Sequence, residues 1–142
     1  MQRTIIAVES DSHGGNKLGL MHPEVVLEDI QKNGQVRQWT PNMTESQREL
    51  WILREENIEK LKDLSGKDEI VYISNGDLTQ GDKHKAELVS ERIADQITIA
   101  TENVKPIMGI KNVKTALFAA GTGAHNFGQA SSDKIGRASC RE

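Results

Sequence analysis

The chain has 142 residues, with 18 Lys and Arg against 21 Asp and Glu, a formal charge of −3, and 36% apolar positions. That composition predicts one acidic domain at most, argues against the basic coat of a sequence-independent nucleic-acid binder, and contains no apolar run near the ~18 residues of a membrane span. Residues 1–8 lack a basic-then-apolar leader, so the expected compartment is the cytoplasm, and the single Cys140 provides neither an internal disulfide nor a thiolate cluster.

Thr4-Ile5-Ile6-Ala7-Val8 is a short β-branched run ahead of a polar cluster, which predicts a buried strand. Asn33-Gly34 between Val25-Val26-Leu27 and Val36 carries a hairpin signal. Thr44 and Gln47 have the spacing of a capping box, and Leu50, Leu53, Ile58, Leu61 and Leu64 then share one helical face as far as Gly66. This helix is expected to cover a sheet. Glu69-Ile70-Val71-Tyr72-Ile73-Ser74 predicts a second strand, which ends at Asn75-Gly76-Asp77. A second helix is expected from about Ala86, with Val89, Ile93, Ile97, Ala100 and Val104 on its apolar face, broken by Pro106 and Gly109. Lys114-Thr115-Ala116-Leu117-Phe118-Ala119 is the third strand. Strand, helix, strand, helix, strand predicts parallel pairing in an α/β sheet. Trp51 and Phe118 are expected in core packing. The last nine residues, from Lys134 to Glu142, resemble translated sequencing adapter, so residues 1–133 are expected to be a truncated domain and residues 134–142 a non-native tail.

Polar chemistry gathers where each predicted strand ends, which is where ligands sit in open α/β sheets. The first strand runs into Asp11-Ser12-His13-Gly14-Gly15. The second runs into Gly76-Asp77-Leu78-Thr79-Gln80-Gly81-Asp82-Lys83-His84, and the third into Gly121-Thr122-Gly123-Ala124-His125. Carboxylate oxygen and imidazole nitrogen suit divalent ions such as Mn²⁺, Fe²⁺ and Zn²⁺. Asp11 and His13, separated by one residue, are placed to clasp one ion. Asp77, after a glycine that permits a sharp turn, is placed to bridge two. The spacing fits neither a P-loop nor a dinucleotide-binding fingerprint.

Asp11-x-His13, then Gly76-Asp77 with Gly81-Asp82, then a glycine-led loop ending in His125, resembles the calcineurin-like metallophosphoesterases. Within that family the longer stretches around Asp11 and Asp77 look most like the phage and prophage branch. The resemblance implies the N-terminal part of a four-layer α/β/β/α sandwich with two divalent ions, the first held by Asp11 and His13 and both bridged by Asp77. The implied activity is hydrolysis of a phosphoester by a metal-activated water, as a phosphodiesterase, nuclease or phosphatase, with nucleic acid or nucleotides the favoured substrates and no membrane partner. His125 is implied as the catalytic residue that stabilises or protonates the leaving oxygen.

The third motif departs from the family pattern. Thr122-Gly123-Ala124-His125 stands where the family has an Asn followed directly by His, so Thr122 is a candidate ligand or support and His125 either approaches the leaving group or ligates. Asp82 and His84 are further candidates, as metal ligands, as supports of the ligands, or as solvated loop residues. Two later histidine loops of the family have no counterpart and are expected beyond Asp133, so residues 1–133 alone are expected to be inactive, with apolar strand faces such as Ile70-Val71-Tyr72-Ile73 left uncovered. The altered motif also raises a second reading, a family member that has lost catalysis and acts as a binding or scaffold protein.

Overall fold

The computed structural model describes residues 3–122 together with the short strands at 126–127 and 130–131. In chain order the elements are β1 (Thr4–Glu9), β2 (Leu27–Ile30), β3 (Val36–Trp39), α1 (Glu45–Ser65), β4 (Glu69–Ser74), α2 (Ile93–Met108), β5 (Val113–Phe118), β6 (Asn126–Phe127) and β7 (Ala130–Ser131). The result is a mixed α/β fold around a three-stranded parallel sheet in the order β1-β4-β5. Beside it stands the antiparallel β2-β3 ribbon, whose register pairs Leu27 with Trp39 and Ile30 with Val36.

Both helices pack on one face of the sheet. Ile70 and Tyr72 of β4, both fully buried, meet Ile58 of α1 and Ala100, Val104 and Ile107 of α2 in the main core. Burial of each such large apolar side chain is worth about 1.5–3 kcal/mol. A smaller core of Met21, Val25, Leu27 and Ile99 seats the ribbon against α2. The opposite face of the sheet carries Ile6, Val8, Val71, Ile73 and Leu117 in register, and Ile6 and Val8 are each 64% exposed. The strand expected to be uncovered is therefore split by its pleat: Ile70 and Tyr72 are sealed under the helices, while Val71 and Ile73 share the open face.

The capping box forms as expected, with Thr44 Oγ1 accepting from Gln47 N and Gln47 Oε1 accepting from Thr44 N. The buried stripe of α1 differs from the expected one. Gln47, Trp51, Ile58 and Ser65 are buried, whereas Leu50, Leu53 and Leu64 are exposed. Leu50, Leu53 and Leu61 instead line a cleft together with Ala7, Val8 and Glu9 of β1. Trp51 is buried as expected and meets His22 edge-on, ring centroids 4.6 Å apart. Phe118 packs partly buried against the main core and stands edge-on to Tyr72.

The second helix begins at Ile93, later than expected. A 3₁₀ turn (Lys85–Glu87) occupies the predicted start, and the following residues are drawn onto the loop after β1, where Val89 N donates to Gly15 O at 2.7 Å. Pro106 lies inside the final turn instead of ending the helix, which closes at Gly109 with its N–H directed to Lys105 O.

Candidate metal centre

The parallel pairing of β1 with β4 continues beyond the strands and carries their loops side by side. His13 N donates to Asp77 O at 2.9 Å, Gly14 N to Leu78 O at 2.7 Å, and Gln80 N to Gly14 O at 3.2 Å. This backbone ladder brings together two loops more than 60 residues apart in sequence. At Gly76, φ is +90° and a Cβ would stand 2.9 Å from Ala120 O, so only glycine lets the loop pass this close to the end of β5.

The three residues expected to bind metal converge there. Asp11, His13 and Asp77 each place a ligand atom within 4.8 Å of the others, with Asp11 exposed, His13 half-buried and Asp77 buried. His13 Nε2 stands 3.7 Å from Asp11 Oδ1. Among the described residues these same three are the non-glycine residues with positive φ: Asp11 at 58°, His13 at 45° and Asp77 at 51°. Left-handed backbone is disfavoured for side chains with a Cβ, by about 1–2 kcal/mol per residue and less for Asp. The loops hold it at every corner of one carboxylate–imidazole–carboxylate cluster. That donor set, two oxygens and one nitrogen within 4.8 Å of one another, could hold a borderline divalent cation.

Thr122 supports Asp77. Its backbone N–H donates to Asp77 Oδ1 at 2.7 Å, and its hydroxyl lies 3.2 Å from Oδ1 and 3.4 Å from Oδ2. The third loop therefore reaches the centre through a residue that orients a ligand. His84 is exposed and stands immediately before the 3₁₀ turn, and Asp82 is half-buried; neither joins the converged group among the described residues. His84 instead borders the same cleft as Asp11 and His13, a space of about 910 Å³ along β1 whose far wall includes Leu50, Leu53 and Leu61. His125 lies outside the described residues.

Sequence reasoning missed the side chains that hold these loops in place. Glu9 closes β1, two residues before Asp11, and accepts from Arg54 Nη1 at 2.6 Å and from the Tyr72 hydroxyl at 3.0 Å. Arg54 also donates to Asn103 O, tying α1 to α2. Burial, with the charge of Glu9 adding to it, raises the Tyr72 phenol above its ordinary range, so it remains a neutral donor. Three buried carboxamides grip the loops directly. Gln47 donates to Asn16 O, Asn103 to Leu20 O, and Gln96 bonds both backbone groups of Gly81. Their signal was available, since Gln96 and Asn103 fall in the helical register of Ile99, Ala100 and Ile107, where a polar residue demands a partner.

No protein-family model, curated protein or solved structure matches the chain. Among the described residues no helix is long and apolar enough to cross a membrane.

Proposed function

We propose that Asp11, His13 and Asp77 form a divalent-metal site serving phosphoester hydrolysis, in a protein of the calcineurin-like metallophosphoesterase type. The observation that carries this reading is the convergence of the three ligand atoms on residues that all hold left-handed backbone. The motif resemblance supplies the reaction class, the second ion and the four-layer sandwich, in which a second sheet would cover the apolar face around Ile6 and Val8. Nucleic acid or nucleotide phosphoesters are the proposed substrates. When bound, the metal pair supplies a water acidic enough to ionise near neutral pH and positive charge for the phosphoryl oxygens.

The chain's own residues divide the remaining work. Asp77, pinned by Thr122, fixes the carboxylate shared between the loops. Asp11 stands at the solvent-facing side, open to an incoming substrate. His125, three residues after Thr122, is the proposed donor to the leaving oxygen, a role worth about 10²–10⁴ in rate.

One observation favours the second reading, a binding protein without turnover. Thr122 engages both oxygens of Asp77, so the carboxylate is partly saturated before any second ion arrives. Calorimetric titration with Mn²⁺ and Zn²⁺, beside hydrolysis of bis(p-nitrophenyl) phosphate, separates the two. The hydrolase reading expects metal binding by residues 1–142 and metal-dependent nitrophenolate release once the two further histidine loops implied by the resemblance are present, both lost in Asp77→Asn. Metal binding with no release from that longer chain favours the binding protein. A chain that holds neither ion overturns both.

A further inference from the structure

We propose that Gln96 is a positioning residue of this centre, a buried carboxamide that braces the loop bearing His13 and the loop bearing Asp77 in the spacing their backbone ladder sets; the inference rests on the metal-site reading above. Gln96 lies in the first turns of α2, beneath both loops, and is fully buried. Its Oε1 accepts from Gly81 N at 3.0 Å, and its Nε2 donates to Gly81 O at 3.0 Å and to Ser90 O at 3.2 Å. Gly81 follows Asp77 by four residues, so this clasp fixes the far end of the Asp77 loop.

The same side chain meets the other loop through packing. Gly15, two residues after His13, has φ +99°, and a Cβ there would stand 2.5 Å from Gln96 Cγ. Gln96 thus occupies the space that the glycine leaves, so its stem backs the His13 loop at Gly15. Gly15 O in turn accepts from Val89 N, beside the Ser90 carbonyl that Gln96 also holds. Two ligand loops and the segment leading into α2 therefore share one side chain.

The chemistry requires a carboxamide. Gly81 presents a donor and an acceptor together, and only Asn and Gln carry a neutral oxygen and a neutral NH₂ on one planar group. An ionised carboxylate could accept from Gly81 N but could not donate to the Gly81 and Ser90 carbonyls, and a glutamate there would have to bind a proton to replace the amide. An alanine would leave those groups buried and unpaired. Residues that orient ligands without touching the metal commonly control affinity by about 10–100-fold.

The test is Zn²⁺ titration calorimetry on the wild-type chain, Gln96→Ala, Gln96→Met and Val104→Ala, with the metal-free melting temperature of each. Val104 is a core residue of the same helix and contacts neither loop through a hydrogen bond. The expected result is a Zn²⁺ affinity about 10-fold or more weaker in both Gln96 variants, with Val104→Ala melting lower yet binding as tightly as wild type. Should Gln96→Ala not fold, the near-isosteric Gln96→Met, which keeps the stem and has no amide to make the clasp, decides. Wild-type affinity in a folded Gln96 variant overturns the positioning role while leaving the metal site standing. Equal weakening in Val104→Ala also overturns it, by showing that general destabilisation suffices. A wild-type chain that binds no Zn²⁺ removes the metal site and this role together.

Discussion

Asp11 shows what the strained corners of the centre cost. Its carboxylate is largely exposed, with one long contact to His13, so its left-handed backbone is supported by the loop and not by its side chain. Glycine relieves that conformation and alanine does not. Asp11→Gly is therefore expected to be about 0.5–1 kcal/mol more stable than Asp11→Ala in urea unfolding, while both variants lose metal affinity. Removal of the carboxylate is common to the two, so the difference between them isolates the backbone term. Equal stabilities would show that the loop carries no strain at this position.

At the scale of elements, the helices act as clamps on the loops as much as covers for the sheet. The N-terminus of α1 is the clearest case: Thr44 Oγ1 caps the helix and also donates to Lys17 O at 2.7 Å, while Gln47 of the same capping box donates to Asn16 O. Thr44→Ala removes both the cap and the clasp, and chemical denaturation is expected to register a loss of about 1–2 kcal/mol. Thr44→Ser, which preserves the hydroxyl, should recover most of it. Thr44 and Gln47 could be found from their spacing alone, because a capping box is local. The face of α1 and the start of α2 could not. Leu50, Leu53 and Leu64 have the right period for burial, but Leu50 and Leu53 line the cleft beside β1 and the helix buries a different stripe, with Gln47 and Trp51 inward. In α2, predicted from Ala86, the start moved to Ile93 because the residues before it pair with the loop after β1, a contact between distant segments that local periodicity does not encode.

For the molecule as a whole, the unusual feature is a parallel sheet that, among the described residues, carries helices on one face only. Parallel sheets are ordinarily covered on both sides, and here Ile6, Val8 and Leu117 are each more than half exposed. The edge of β1 is likewise open to the cleft beside α1. Self-association through these surfaces is the expected behaviour of the chain at high concentration. Val8→Lys together with Leu117→Lys is expected to reduce light scattering with stability changed by no more than about 0.5 kcal/mol per site, since neither side chain is packed in the core. A large loss of stability would mean that this face is covered within the chain.

The sequence by itself determined the order of β1 to β5 and the two helices, the parallel α/β character, the hairpin at Asn33-Gly34, the capped start of α1 and the three loops in which polar chemistry collects. Each of these follows from local signals: β-branched runs, side-chain period, turn residues and cap spacing. It also singled out Asp11, His13 and Asp77, because strand ends in α/β sheets are where loops meet. Only the tertiary structure decided that these residues converge within 4.8 Å on left-handed backbone, that Thr122 orients Asp77, and that Gln96 binds one loop and packs under the other. Those facts depend on hydrogen bonds and close packing between segments tens of residues apart, whose partners are chosen when the sheet and helices pack together.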